Sequence, residues 1–206
     1  MDTRTENNNA QIIGRIDSEF QYNHSIYGEQ FYMADIIVER LSNVTDRIPI
    51  MVSERLIDVT KNFVGSLIKV KGQFRSFNWN NRLLLSLFAM ELYFVDEETE
   101  FKGLETNSIT LKGYLCKLPV YRKTPLGREI VDFLLAVNRP YGKTDYIPCI
   151  CWGRNARFAS TFEVGEHVQI NGRIQSREYV KKLSETQVER RIAYEISVRA
   201  LERLVE

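Results

Sequence analysis

Apolar and polar residues alternate along much of this chain with the period of two that marks half-buried β-strands. Ile109, Leu111, Gly113 and Leu115 alternate with Thr110, Lys112 and Tyr114, and Val168, Ile170, Gly172 and Ile174 alternate with Gln169, Asn171, Arg173 and Gln175. Between these two strands the pattern predicts an apolar strand over 130–138, a third over 146–152 and a short helix over 155–162, and a fifth strand follows through Ile192, Tyr194, Ile196 and Val198. The first half reads in the same order, with strands over 10–16, 31–39, 47–52, 68–77 and 82–95. A helix is expected near 53–63, with Ser53 as its N-cap.

This shared order reflects an internal repeat. Gly14, Gly28, Arg40 and Pro49 recur 99 residues later as Gly113, Gly127, Arg139 and Pro148, while Gly65 and Gly72 recur 100 later as Gly165 and Gly172. Asp46-Arg-Ile-Pro49 stands beside Asp145-Tyr-Ile-Pro148. The chain is therefore two copies of one module. Five strands with one short helix between the third and fourth is the order of the OB-fold, so the expected class is all-β: two tandem five-stranded Greek-key barrels. Gly72 and Gly172 sit mid-strand, where a closing barrel strand must bend hard. An unrelated β-sandwich is the alternative, and the single central helix weighs against it. The expected domains are 8–95 and 107–204, joined over 96–106 by an acidic linker beginning at Asp96. A second use of that acidic run would be to mimic nucleic acid in a basic groove.

Composition narrows the picture. The 206 residues are 44% hydrophobic and 27% charged, the balance of a chain that can bury a core. The N-terminus lacks a signal-peptide layout, and no apolar stretch approaches the roughly 18 residues of a membrane helix. Three cysteines form no even disulfide framework, which points to a reducing cytoplasm. His24 and His167 have no metal ligand at useful spacing, and Cys149-x-Cys151 suits two small buried thiols better than a zinc site. Gly142-Lys143-Thr144 resembles the end of a P-loop, but Val137 stands where the earlier glycine is required. No catalytic triad or nucleophile elbow is present, so neither an enzyme nor a cofactor is expected.

The formal net charge of +1 hides an asymmetry. Residues 1–103 hold 11 Lys/Arg against 15 Asp/Glu, whereas 104–206 hold 17 against 12, so the second module is the candidate for an anionic partner. Arg122, Lys123 and Arg128 are placed in the loop joining its first two strands, and Arg139 and Lys143 in the next loop. Lys181, Lys182, Arg190 and Arg191 surround the loop between its last two strands, and Arg173 and Arg177 share a strand face with Gln175 and Tyr179. Tyr146 and Trp152 share strand parity, and Tyr141 lies in the adjoining loop. Cations interleaved with rings suit a single strand of nucleic acid: phosphates pair with the charges and unstacked bases lie on the rings. Burial of Tyr146 and Trp152 in an aromatic core is the competing account of those two residues.

The stretch from Asn107 to Leu201 resembles the bacterial single-stranded-DNA-binding proteins. The matching words are Asn107-Ser-Ile-Thr-Leu-Lys-Gly113, Arg122-Lys-Thr-Pro-Leu-Gly127 and Phe133-Leu-Leu-Ala-Val-Asn-Arg139, then Ile150-Cys-Trp-Gly-Arg-Asn-Ala156 and Gly172-Arg-Ile-Gln-Ser-Arg177. The resemblance implies sequence-nonspecific single-stranded DNA binding in replication, recombination or repair, with bases stacking at Tyr141, Tyr146, Trp152 and Tyr179. In the first module Ser42, Arg47 and Ser53 stand at the positions paralleling the first three, and only Trp79 parallels Tyr179. That module is expected to serve assembly or weak auxiliary binding, with Phe74, Phe77 and Trp79 as an alternative partner surface. The family assembles four OB domains, which implies a homodimer of this two-domain chain. The family's long acidic tail is not found after Leu201, which keeps a second account open: an OB adaptor akin to primosomal replication proteins, acting mainly through replication or primosome proteins.

Overall fold

The computed structural model describes residues 7–40, 42, 44–80, 82–96, 105–182, 184 and 187–204. In the first module these form β1 (Asn8–Ile16), β2 (Gln21–Ile26), β3 (Glu29–Glu39), β4 (Thr45–Ser53), β5 (Leu67–Trp79) and β6 (Arg82–Phe94). The second module has β7 (Asn107–Leu115), β8 (Val120–Lys123), β9 (Glu129–Asn138), β10 (Thr144–Trp152), helix α1 (Arg154–Ala159), β11 (His167–Lys182) and β12 (Val188–Arg203). The expected acidic linker falls largely on 97–104, outside the described residues.

All twelve strands join one sheet in the order β2-β3-β4-β6-β5-β1-β7-β11-β12-β10-β9-β8, closed by further pairings of β1 with β3 and of β7 with β9. Each half is thereby a barrel, the tandem OB-fold arrangement. Closure needs backbones to cross closely, and glycine makes room. A Cβ on Gly72 would lie 1.9 Å from the Phe88 carbonyl oxygen, and one on Gly172 2.4 Å from that of Ser197. A register shift falls at each glycine, between Lys71 and Gly72 and between Asn171 and Gly172, as the mid-strand bends require.

Two details depart from the sequence pattern. First, β2 and β8 occupy segments without alternation; they pair only with β3 and β9 at the sheet edges, and β8 exposes all four side chains, so neither face demands apolar residues. Second, the helix expected over 53–63 is replaced by turns. There Asp58 Oδ1 accepts the Thr60 N–H at 3.2 Å and Asn62 Oδ1 accepts the Val64 N–H at 2.9 Å. Such local side-chain bonds compete with a helical ladder. Ile57 is nevertheless buried, with Leu56, Val59 and Phe63 packed against the core.

The two barrels meet about a local two-fold axis. β1 pairs antiparallel with β7 so that Ala10 faces Ile109, its own repeat equivalent. On either side, the buried Asn8 side chain bonds both backbone polar groups of Phe74 at 2.7 and 2.9 Å, and Asn107 does the same to Ile174. The repeated aspartates close the seam. Fully buried Asp46 accepts two bonds from Arg40 at 2.5 and 2.7 Å, and Ser176 of the other module donates its N–H to Asp46 Oδ1 at 2.7 Å. Its counterpart Asp145, also buried, accepts the Ser76 N–H at 2.7 Å. Arg139 Nε is 3.0 Å from Asp145 Oδ2, yet off the hydrogen-bonding direction, so neither atom is hydrogen-bonded. The Asp145 seam is therefore the weaker.

Two consequences follow from this difference. Asp46→Ala leaves Arg40 and the Ser176 N–H without their acceptor and should cost about 3–5 kcal/mol in urea unfolding. Burial holds the Asp145 carboxyl above its usual range despite the Ser76 bond and Arg139. A raised folded pKa contributes stability below the unfolded value and loses it as pH rises. Asp145→Asn should thus gain on the parent protein between pH 3.5 and 7; a gap moving the other way would refute this account of the seam.

Candidate nucleic-acid interface

Strand parity sorts β10 into two faces. Asp145, Ile147, Cys149 and Cys151 point inward, while Tyr146 and Trp152 point outward and are respectively 40% and 41% exposed. Burial pushes the Cys151 thiol up to about 12 and Cys149 well above its usual range, which leaves both as unreactive core groups. After Trp152, Gly153 adopts φ 57° and turns the chain into α1. Tyr141 sits at the tip of the β9–β10 connection between Pro140 and Gly142. Its own φ is 62°, and its side chain is fully in solvent. A left-handed tyrosine is uncommon, and here it projects the ring away from the barrel.

Neighbouring strands extend this outward face. Trp152 pairs with Ile130, which pairs in turn with Arg122; Ile150 pairs with Ser197, and Ser197 with Arg173. Across the hairpin Gln175 lies opposite Glu195 and Tyr179 opposite Arg191. The Arg177 guanidinium sits 5.9 Å above the half-buried Tyr179 ring. The sheet thus brings Trp152, Arg122, Arg173 and Arg177 onto one face with Tyr146, while Tyr141 stands at its edge.

The cations divide into free and engaged. Arg122, on strand β8 rather than in a loop, donates to Asp132 at 2.6 Å. Arg139 faces Asp145 at the seam instead of solvent, and Arg177 is 3.8 Å from Glu195. Among the described residues, no carboxylate lies within ion-pairing distance of Lys123, Arg173, Lys181 or Lys182. Arg173 is part-buried beside the seam, where desolvation, followed by the charge of Arg40, lowers its pKa. It stays fully charged at neutral pH. Lys181 and Lys182 lie on the exposed outer end of β11. There Glu189, which faces Lys181 across the hairpin, holds Arg191 at 2.6 Å and lies 3.9 Å from Arg82 of the first module.

The equivalent face of the first module is filled by its own side chains. Arg75 lies 3.7 Å over the Phe88 ring, Phe88 is 5.8 Å from Phe31, and Phe31 stacks on His24 at 5.0 Å. Burial, then the charge of Arg139, brings Arg75 down to about 10. Phe74 is buried and offers no partner surface, whereas Phe77 and Trp79 are exposed and stacked on each other at 6.3 Å. Arg75 was not marked by the sequence as part of a face, because its ring partner comes from the next strand. Arg157 on α1 was missed for a similar reason: only the turn at Gly153 brings it beside Trp152.

The pattern described as "Single-strand binding protein family" matches residues 106–204. That match coincides with the second module. Single-stranded DNA-binding protein 3 of Listeria innocua is 36% identical over 80 residues, 35% of this chain and 50% of its own length. Single-stranded DNA-binding protein A of Bacillus subtilis is 36% identical over 80 residues, 35% of this chain and 46% of its own. The chain spans about half the length of the curated relatives it matches. Wild-type single-stranded DNA binding protein from Thermus aquaticus superposes with a TM-score of 0.75 at 19% identity, covering 97% of this chain and 93% of that one. At that identity the likeness is one of fold.

Proposed function

We propose that this protein binds single-stranded DNA without sequence preference, through the outward face of its second module, and serves replication, recombination or repair. The observation that carries the proposal is the exposure of Tyr141, Tyr146 and Trp152 beside the unpaired cations Lys123 and Arg173, in the half of the chain that matches the single-strand binding family. Bases stack on the rings, and phosphates meet Lys123, Arg173, Lys181 and Lys182, with Arg122 and Arg177 available by exchange from their carboxylates. Double-stranded nucleic acid hides its base faces and would engage only the charges. The role is binding without catalysis, and the three free thiols suit a reducing cytoplasm. The first module, its face occupied by Arg75 and Phe88, acts chiefly as architecture. Two copies of the chain associate by a two-fold axis to present four barrels, the commonest oligomer symmetry; light scattering at the mass of one chain in micromolar solution would refute this.

The two tryptophans, one in each module, give the test. Oligo-dT should strongly quench Trp79→Phe, whose remaining indole is Trp152, and quench Trp152→Phe much less. Duplex of equal length should quench neither comparably. Trp152→Ala should weaken binding by about 1–3 kcal/mol with its circular dichroism unchanged. Strong quenching at Trp79 with none at Trp152 would move the binding face to the first module.

A further inference from the structure

The second module also has a concavity that base stacking alone does not use. The end of β8, the start of β9, the end of β10 and helix α1 converge on a hollow of about 510 Å³ lined by Lys123, Arg128, Glu129, Trp152, Gly153 and Arg157. That volume falls within the roughly 300–1,000 Å³ typical of small-molecule sites. Trp152 is the last residue of β10, so the hollow lies where the stacking face stops.

Its charge is unbalanced. Glu129 is the carboxylate in the lining; it accepts the Tyr121 hydroxyl at 2.7 Å and Arg157 Nε at 2.6 Å, and these two bonds hold its pKa below the usual carboxylate range. Arg157 is thereby compensated. Lys123 and Arg128 are both exposed, and among the described residues neither has a carboxylate within ion-pairing distance. Three cations against one carboxylate leave a net charge of +2. An internal phosphodiester carries one negative charge, whereas a phosphate monoester carries about −1.5 to −2 at pH 7, with its second pKa near 6. The hollow matches the monoester.

We infer that this hollow receives the terminal phosphate of a DNA strand, with the adjoining base stacked on Trp152. The inference rests on the single-strand binding proposed above and adds to it a preference for phosphorylated ends. Stacking supplies the base contact at the indole, and Lys123 and Arg128 supply the charge that a hydroxyl end would leave unanswered.

Short oligo-dT bearing a 5′-phosphate, a 3′-phosphate or hydroxyls at both ends should be compared by anisotropy at one salt concentration. One phosphorylated form should bind about three- to tenfold more tightly than the hydroxyl form, the scale of one or two exposed charge pairs. Which form gains assigns the strand end. The gain should shrink at pH 5.5, where the monoester loses its second charge while Lys123 and Arg128 keep theirs. Lys123→Ala combined with Arg128→Ala should bring the ratio of phosphorylated to hydroxyl affinity close to one; both side chains are exposed, and unchanged circular dichroism would verify the fold. Equal affinities for all three oligonucleotides, or a gain that survives the double substitution, would overturn the inference while leaving strand binding intact. Failure of every oligonucleotide to bind would overturn both.

Discussion

The antiparallel pairing of β1 with β7 is the constraint from which the rest of the molecule follows. It sets equivalent residues Ala10 and Ile109 face to face and so makes two repeats into one pseudo-symmetric body. Backbone pairing alone would leave the barrels free to pivot, since a typical hydrogen bond contributes only about 1 kcal/mol net. Asp46 and Asp145 remove that freedom, because each is buried and accepts a bond from the opposite module. A buried carboxylate that loses its partners costs several kcal/mol, so the geometry that keeps these two bonds is preferred, most strongly at the fully paired Asp46.

The seam reaches into the proposed binding face. Ser76 of the first module donates its N–H to Asp145, and its Oγ accepts the Tyr146 N–H at 2.8 Å, so the backbone of an exposed ring is anchored by the other module. By symmetry Ser176 Oγ accepts the Arg47 N–H at 3.1 Å. The same frame thus serves two different surfaces. Arg47 forms ion pairs with Asp17 and Asp35, where Tyr146 leaves an open ring. Arg75 over Phe88 fills the first face from within, while the second has the small Ser197 at the position equivalent to Phe88.

Much of this was legible in the sequence because β-structure writes itself at period two. The bends at Gly72 and Gly172 could be placed because only a glycine fits where another backbone lies about 2 Å from its missing Cβ. The repeat exposed Arg40 with Arg139 and Asp46 with Asp145, but not their purpose, since their partners Ser176 and Ser76 come from the other copy. That is why the sequence places Arg139 as a loop cation and gives no sign of Asp145 beside it. The edge strand β8 was invisible because solvent on both faces erases the alternation. The helix expected over 53–63 from the repeat order and the Ser53 cap is absent because Asp58 and Asn62 bond their own backbone instead. The hollow beside Trp152 needed three strand ends and a helix to converge, which no local pattern encodes.

The central claim is that strand binding belongs to the outward face of the second module. Hydrogen exchange of the full chain, with and without oligo-dT, tests it most directly. The account predicts slowed exchange over 120–123 and 139–153, with the corresponding first-module stretches 21–26 and 40–53 exchanging as in the free protein. Protection confined to the first-module stretches, with 139–153 unchanged, would contradict it.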